Sequence, residues 1–190
     1  MDQLQKREIR NSPVQKTVLL AILIAISSVI QVVENQVFPS NLPLRPGFAN
    51  VAILLVISMY GPREAVLTAV ARSVLASLVT GRLLSAPFFL SLSGGIVSAL
   101  IMGFLLNRFE ELSIVGVSLT GAIVHNTTQL MVIRLFLISH GGVLALVPWI
   151  WILSLITGLF VGFTARWILG TAPAKKLANP GGNSPDPVKI

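Results

Sequence analysis

The chain has 190 residues, of which 54% are hydrophobic and only 11% are charged, and its mean hydropathy is +0.83. This composition is typical of an integral membrane protein and leaves no soluble domain of useful size. The net charge is +7, and its meaning depends on where the basic residues lie along the chain. The sequence has no cysteine, which excludes disulfides, thiol nucleophiles and cysteine-based metal sites.

The N-terminal region does not have the pattern of a secretory signal. Residues 1–16 are polar, and the apolar run that follows is too long for a signal core and lacks a small-residue cleavage motif. We therefore predict a cytoplasmic segment over 1–16, a membrane domain over 17–169 and a disordered cytoplasmic tail over 170–190, which is rich in proline and glycine.

Six transmembrane helices are predicted, on the basis that a span needs about 20 mostly apolar residues. They cover residues 17–33, 48–60, 64–80, 84–106, 114–138 and 143–169. A proline-containing link over 34–47 separates the first two helices. Gly61 and Pro62 mark a tight turn before the third, because glycine often follows a helix and proline often begins one. The predicted fold is therefore an all-α integral membrane protein.

The basic residues predict the orientation of these helices, because Lys and Arg are enriched in short cytoplasmic loops. With the N-terminus inside, ten of the fourteen basic residues fall on the cytoplasmic face, and only Arg45 and Arg82 fall on the outer face. The remaining two, Arg72 and Arg134, lie within helices. We therefore expect both termini in the cytoplasm, a multi-pass location in the cell membrane, a lipid-bilayer environment and no nucleic-acid partner.

Arg72 is the most informative single residue, because it lies near the middle of the third predicted helix. About 12 Å of helix separates it from either end at 1.5 Å per residue, and a central Arg usually needs a polar partner. Ionisable groups at that depth normally belong to a functional site. The structural alternative is an Arg that is satisfied by the backbone carbonyls of a broken helix.

A polar stretch lies within the fifth predicted helix, over residues 121–134. His125 and Gln129 are four residues apart and share one helix face, whereas Asn126 is turned away by about 100°. Because polar side chains at membrane depth normally face a bundle interior or a water-filled site, we interpret the stretch as one wall of a ligand site. A membrane histidine can also be a simple hydrogen-bonding contact between helices.

Arg134 lies about one helical turn from the outer end of the same predicted helix. It can reach the outer headgroups by snorkelling, or it can join Arg45 and Arg82 around an outer vestibule. Arginines grouped in this way favour a ligand with a carboxylate or phosphate group held by forked hydrogen bonds. The residues predicted on this basis to bind a small anionic or partly anionic solute are Arg45, Arg72, His125, Asn126, Gln129 and Arg134.

Two pairs of small residues, each four positions apart, allow close approach between helices. They are Ala21 with Ala25 in the first predicted helix and Gly158 with Gly162 in the sixth. Either pair could serve packing within the chain.

Several short motifs agree in order and spacing with those of a known family. They are residues 47–50, Tyr60 and Gly61 with Glu64 and Ala65, Arg72, residues 90–94, and residues 121–126 with Gln129. With these motifs the chain resembles the small six-helix Gx transporters, also labelled heptaprenyl diphosphate synthase component I. That family is related to the substrate-binding (S) components of energy-coupling-factor (ECF) transporters. The resemblance covers residues 16–169.

The resemblance implies an S component that captures a micronutrient or precursor from outside. It adds Asn50 to the candidate ligand residues and implies that the link over 34–47 acts as a lid. It further implies that Ala21 and Ala25 dock on a transmembrane coupling protein that carries two cytoplasmic ATPases. The sequence has no Gly-rich phosphate loop of its own, which agrees with energy supplied by partners. We expect no cofactor and no bound metal.

Other roles follow from the family label and from Ser93. Prenyl diphosphate chemistry needs clustered aspartates that hold magnesium, but the two aspartates here, Asp2 and Asp186, lie in polar tails. An accessory or scaffold role in isoprenoid or quinone biosynthesis remains an alternative. An intramembrane serine hydrolase would use Ser93 and His125, but the sequence lacks the first glycine of a nucleophile motif and a nearby acidic residue. We therefore expect no enzymatic activity.

Overall fold

The structure is a computed structural model that describes residues 13–37, 47–109, 111–136 and 147–171. These residues form helices and turns, with no strand among them. The six helices are α1 (Pro13–Val37), α2 (Asn50–Tyr60), α3 (Pro62–Val79), α4 (Ala86–Arg108), α5 (Ile114–Phe136) and α6 (Val147–Gly170). The all-α class is thus confirmed. The predicted N-terminal segment up to residue 12, most of the link with Arg45, and the tail from residue 172 lie outside the described residues.

Within the described ranges, α1, α4 and α6 are each long and apolar enough to cross a membrane. Large apolar side chains such as Leu67, Phe104 and Trp167 are exposed on the outside of the bundle. In contrast, α3 and α5 carry polar residues inside otherwise apolar sequence, and α2 has only 11 residues. These features are those of a helical membrane protein with its polar residues turned inward.

The largest difference from the predicted boundaries concerns α1, which was expected over 17–33. It begins at Pro13, since proline fits the first turn of a helix, and it continues to Val37. The extension brings Glu34 and Asn35 into the helix, where both side chains are buried in the bundle. Residues that were predicted to begin a link therefore belong to the first helix.

Helix α2 lies at the centre of the bundle. It packs against α1, α3, α4 and α6, while the longer helices follow one another around it in the order α1, α3, α4, α5, α6. Its residues 52–57 are all buried, and together with Ala65, Ala99 and Val161 they form the main apolar core. A helix this short can remain in the bundle because its neighbours, rather than lipid, surround it.

The glycine pair of α6 packs directly on α5. A Cβ atom added to Gly162 would lie 2.9 Å from Cα of Val115, and one added to Gly158 would lie 3.0 Å from Cα of Leu119. The hydroxyl of Ser118 also donates a hydrogen bond of 2.7 Å to the carbonyl oxygen of Gly158. This small-residue pattern is therefore used for packing within the chain.

A charged contact ties α1 to the turn between α2 and α3. Nζ of Lys16 lies 2.5 Å from Oε1 of Glu64 and 5.5 Å from the ring centroid of Tyr60. Because these residues lie at the start of α1 and the start of α3, they mark one end of the bundle. The end of α1 and the start of α4 lie at the opposite end.

The close contact between α5 and α6 predicts that Gly162→Ala destabilises the protein. Alanine is intrinsically the better helix residue by about 1 kcal/mol, so a destabilisation would reveal the clash with the α5 backbone. We expect a loss of about 1–3 kcal/mol in the free energy of unfolding, measured by denaturant titration in micelles. Gly170→Ala, at the end of the same helix with nothing within 4 Å of the added Cβ, is the control and should cause no loss.

Candidate functional site

A narrow polar cavity lies between α1, α3, α4 and α5, next to the start of α2. Its lining residues are Gln31, Glu34, Asn35, Gly47, Ala49, Arg72, Ser91, His125 and Gln129. The empty space between them amounts to about 260 Å³, but it is so narrow that it holds no more than about one water molecule. The cavity lies nearer the end of the bundle at which α1 ends and α4 begins.

Arg72 is the largest fully buried side chain, with 2% of its surface exposed. Its Nη2 atom donates a hydrogen bond of 2.8 Å to Oδ1 of Asn50, at the first position of α2. Its Nε and Nη1 atoms are buried and make no hydrogen bond within the described part of the chain. Buried guanidinium groups are normally fully hydrogen-bonded, so two open donors at one cavity wall are a place for an acceptor from a ligand.

The fit of α4 around this cavity depends on Gly94 and Gly95. A Cβ atom at Gly94 would lie 3.0 Å from both Nδ1 and Cε1 of His125. One at Gly95 would lie 3.3 Å from Cβ of Ala69 and 3.5 Å from Nη2 of Arg72. The two glycines therefore let α4 approach the polar side chains of α3 and α5 closely.

His125 and Gln129 form the α5 side of the cavity. Both are buried, and Nε2 of Gln129 lies 2.9 Å from Nε2 of His125, at hydrogen-bonding distance. Their spacing of four residues places them one turn apart on the same face, as the sequence predicted. The structure thus brings together Arg72, His125 and Gln129 from the predicted site.

The α1 side of the cavity was missed by the sequence analysis. Gln31, Glu34 and Asn35 line it, and the backbone N–H of Phe48 donates a hydrogen bond to Oε1 of Glu34. The Glu34 carboxylate also interacts electrostatically with the guanidinium of Arg72. The signal that was available is a polar stripe at helical spacing, because the buried residues of α1 are Ser27, Ser28, Gln31, Glu34 and Asn35.

Two other predicted site residues occupy supporting positions. Asn50 contacts Arg72 and lies behind the cavity wall. Asn126 turns toward α6, where its Nδ2 donates a hydrogen bond of 2.7 Å to the hydroxyl of Ser154. That hydroxyl in turn donates to the carbonyl oxygen of Ile150 at 2.6 Å. Asn126 therefore links α5 to α6.

Two of the predicted outer arginines, Arg82 and Arg134, do not line the cavity. Arg134 is exposed near the end of α5, half a helical turn around from His125, and Arg82 is exposed in the turn after α3. Arg45 lies outside the described residues. Of the predicted arginines described, Arg72 is the one that lines the cavity.

Ser93 and His125 line different spaces. The Ser93 hydroxyl donates to the carbonyl oxygen of Phe89 at 2.7 Å and faces an apolar groove between α4 and α5, whereas His125 faces the polar cavity. No group of three or more His, Asp or Glu side chains suited to a metal ion occurs among the described residues.

The fold and the cavity define a helical membrane protein with a narrow, polar, arginine-containing site in its interior. The family model for heptaprenyl diphosphate synthase component I matches residues 23–168. The chain belongs to this family, which is Gx-transporter-like and similar to ECF S components. Neither the search of curated proteins nor the search of solved structures gave a match.

The contact between Asn50 and Arg72 leads to a prediction about stability. Asn50→Leu keeps the size of the side chain but removes the hydrogen-bond acceptor of Nη2, which leaves a third donor of a buried cation open. We expect the free energy of unfolding to fall by about 1.5–3 kcal/mol, the range for hydrogen bonds to charged groups. The control is Asn107→Leu at the exposed end of α4, which should change stability by less than about 0.5 kcal/mol. Equal effects of the two substitutions would contradict the role of Asn50.

Proposed function

We propose that this chain is the membrane-embedded S component of an ECF-type importer, which captures a small anionic or partly anionic micronutrient or precursor from outside the cell. The partners are a transmembrane coupling protein and two cytoplasmic ATPases. In this arrangement both termini lie in the cytoplasm of the cell membrane, and the chain performs no catalysis of its own. Family membership and the polar cavity support this proposal.

The main support for this proposal is that two hydrogen-bond donors of Arg72, Nε and Nη1, make no hydrogen bond within the described part of the chain. A buried cation whose Nε and Nη1 atoms make no described hydrogen bond is unfavourable in a bilayer unless a ligand or water completes it. A structural arginine would be expected to satisfy these donors within the fold. An anionic group that accepts a hydrogen bond from Nη1 could bind the guanidinium while Asn50 keeps its contact with Nη2, and a second acceptor would complete Nε.

Entry of a solute into the narrow cavity requires movement of its wall. The cavity holds about one water molecule, so a solute needs part of the wall to move. The last turns of α1 and Gly47, just before α2, border the cavity at one end of the bundle. With the proposed orientation this end faces outward, which provides access from outside.

The position of Ala21 and Ala25 supports a docking role. Both are exposed on α1, and the large side chains of Val18 and Ile22 beside them are also exposed. They lie in the half of α1 opposite the cavity end. A partner helix could therefore pack closely on this surface without entering the solute site.

Substitution of residues that line the cavity should weaken or abolish binding of the solute. Native mass spectrometry of protein gently released from the membrane should show a bound small molecule with wild type. Arg72→Ala should lose this molecule, and Gln129→Ala should retain it at a lower occupancy, because its affinity should fall by about tenfold, equivalent to roughly 1.4 kcal/mol. Arg134→Ala, on the exposed surface, is the control. An adduct that survives Arg72→Ala unchanged would place the site elsewhere.

Substitutions on the α1 surface should separate binding from transport. Ala21→Trp or Ala25→Trp should leave the bound molecule in place but prevent co-purification of the coupling protein and the ATPases, because a bulky ring blocks close helix packing. Ile156→Trp on the exposed face of α6 is the matched control for adding a large ring to a lipid-facing surface. If Ala21→Trp or Ala25→Trp loses the bound molecule as well as the partners, the solute site and the docking surface are not separate.

A further inference from the structure

The cavity carries charges of both signs. Arg72 and Glu34 are the charged side chains among its described lining residues, and each is more than nine-tenths buried. A solute bound there meets a cation on α3 and a carboxylate on α1 at the same time.

The uncharged polar groups of the cavity are also distributed unevenly between its α3 and α1 sides. The open donors, Nε and Nη1, belong to Arg72. The side-chain oxygens of Gln31, Asn35 and Gln129 are buried acceptors that make no hydrogen bond within the described part of the chain. Because Gln31, Glu34 and Asn35 are spaced at three to four residues, α1 presents its acceptors on one face. The cavity thus has a guanidinium on its α3 side and, on its α1 side, a carboxylate together with two amides that can accept hydrogen bonds.

We propose that the solute is a small zwitterion, whose carboxylate or similar anionic group binds Arg72 while its ammonium group binds Glu34 and the neighbouring amide oxygens. This inference rests on the proposed function and names the class of its solute. An ammonium group has three N–H donors, which suits several acceptors on one wall. A carboxylate matches the forked geometry of a guanidinium.

A solute with a single charge fits less well. A plain anion at Arg72 would meet the nearby Glu34 carboxylate in a water-poor interior, where like charges repel strongly. A plain cation at Glu34 would leave the Arg72 donors open.

The test uses probes that differ in one charged group. The full chain in lipid nanodiscs is titrated with amino acids whose amino group is in the α, β or γ position, and binding is followed by thermal shift and calorimetry. Each is compared with the carboxylate that lacks the amino group and with the amine that lacks the carboxylate. At least one amino acid should bind wild type about tenfold or more tightly than either single-charge analogue.

Substitution of Arg72 and of Glu34 should affect the preference for an amino acid over its single-charge analogues differently. Arg72→Gln should abolish binding of the amino acid. Glu34→Gln retains an oxygen that can accept from Phe48 but removes the negative charge, so the preference should move by about tenfold or more toward the matched carboxylate. Glu64→Gln, at the far end of the bundle and paired with Lys16, should leave the preference unchanged.

The possible outcomes separate this inference from the proposed function. If a carboxylate binds wild type as tightly as the matching amino acid, and this binding depends on Arg72, the solute site at Arg72 stands but the proposal of a zwitterionic solute is wrong. Failure of every amino acid to bind would also overturn it, and native mass spectrometry would then decide whether another molecule occupies the site. If Glu34→Gln does not fold, the comparison of probes on wild type is decisive alone.

Discussion

A guanidinium inside a membrane protein must find hydrogen-bonding partners, and the arrangement around Arg72 follows from this requirement. The first residue of α2, Asn50, supplies one partner, which fixes where that short helix begins relative to α3. The hydroxyl of Ser28 donates to the backbone carbonyl of Arg72 at 3.4 Å and brings α1 to the same level. Gly95 leaves room for α4 beside Nη2. Four helices thus converge at Arg72, which lines the cavity and keeps two donors without a hydrogen bond in the described part of the chain.

The fold could be predicted because the bilayer restricts the choice of structure to helices with apolar surfaces. The same restriction explains why Arg72, His125 and Gln129 could be assigned to an interior site, since polar residues in an apolar run must turn inward. Arg134 lies in the same run, but a position near a helix end allows a long cationic side chain to remain exposed. Depth along the helix, as well as polarity, decides which residues reach the cavity.

The α1 wall was missed because Glu34 was read as the beginning of a polar link. Hydropathy detects the lipid-facing surface of a span, and α1 carries its polar residues on the face turned away from lipid. Ser27, Gln31 and Glu34 repeat at a spacing of three or four residues, which indicates a continued helix with an inward polar face. Asn126 was predicted to line the site but contacts α6 instead. Its side chain is rotated by about 100° around the helix from that of His125, which is enough to direct it to α6. The choice between these neighbours depends on which helix packs on which face.

The two small-residue pairs show that a sequence pattern alone does not identify its packing partner. Gly158 and Gly162 are covered by α5, whose backbone lies about 3 Å from the added Cβ positions. Ala21 and Ala25 follow the same spacing but remain exposed on α1. Lipid solvates an apolar helix as well as another helix does, so exposure of alanine carries little penalty, and association at that surface depends on how closely a partner backbone can approach. The inner face of α1 provides acceptors to the cavity while its outer face stays open, so one helix can contact both the solute and a partner.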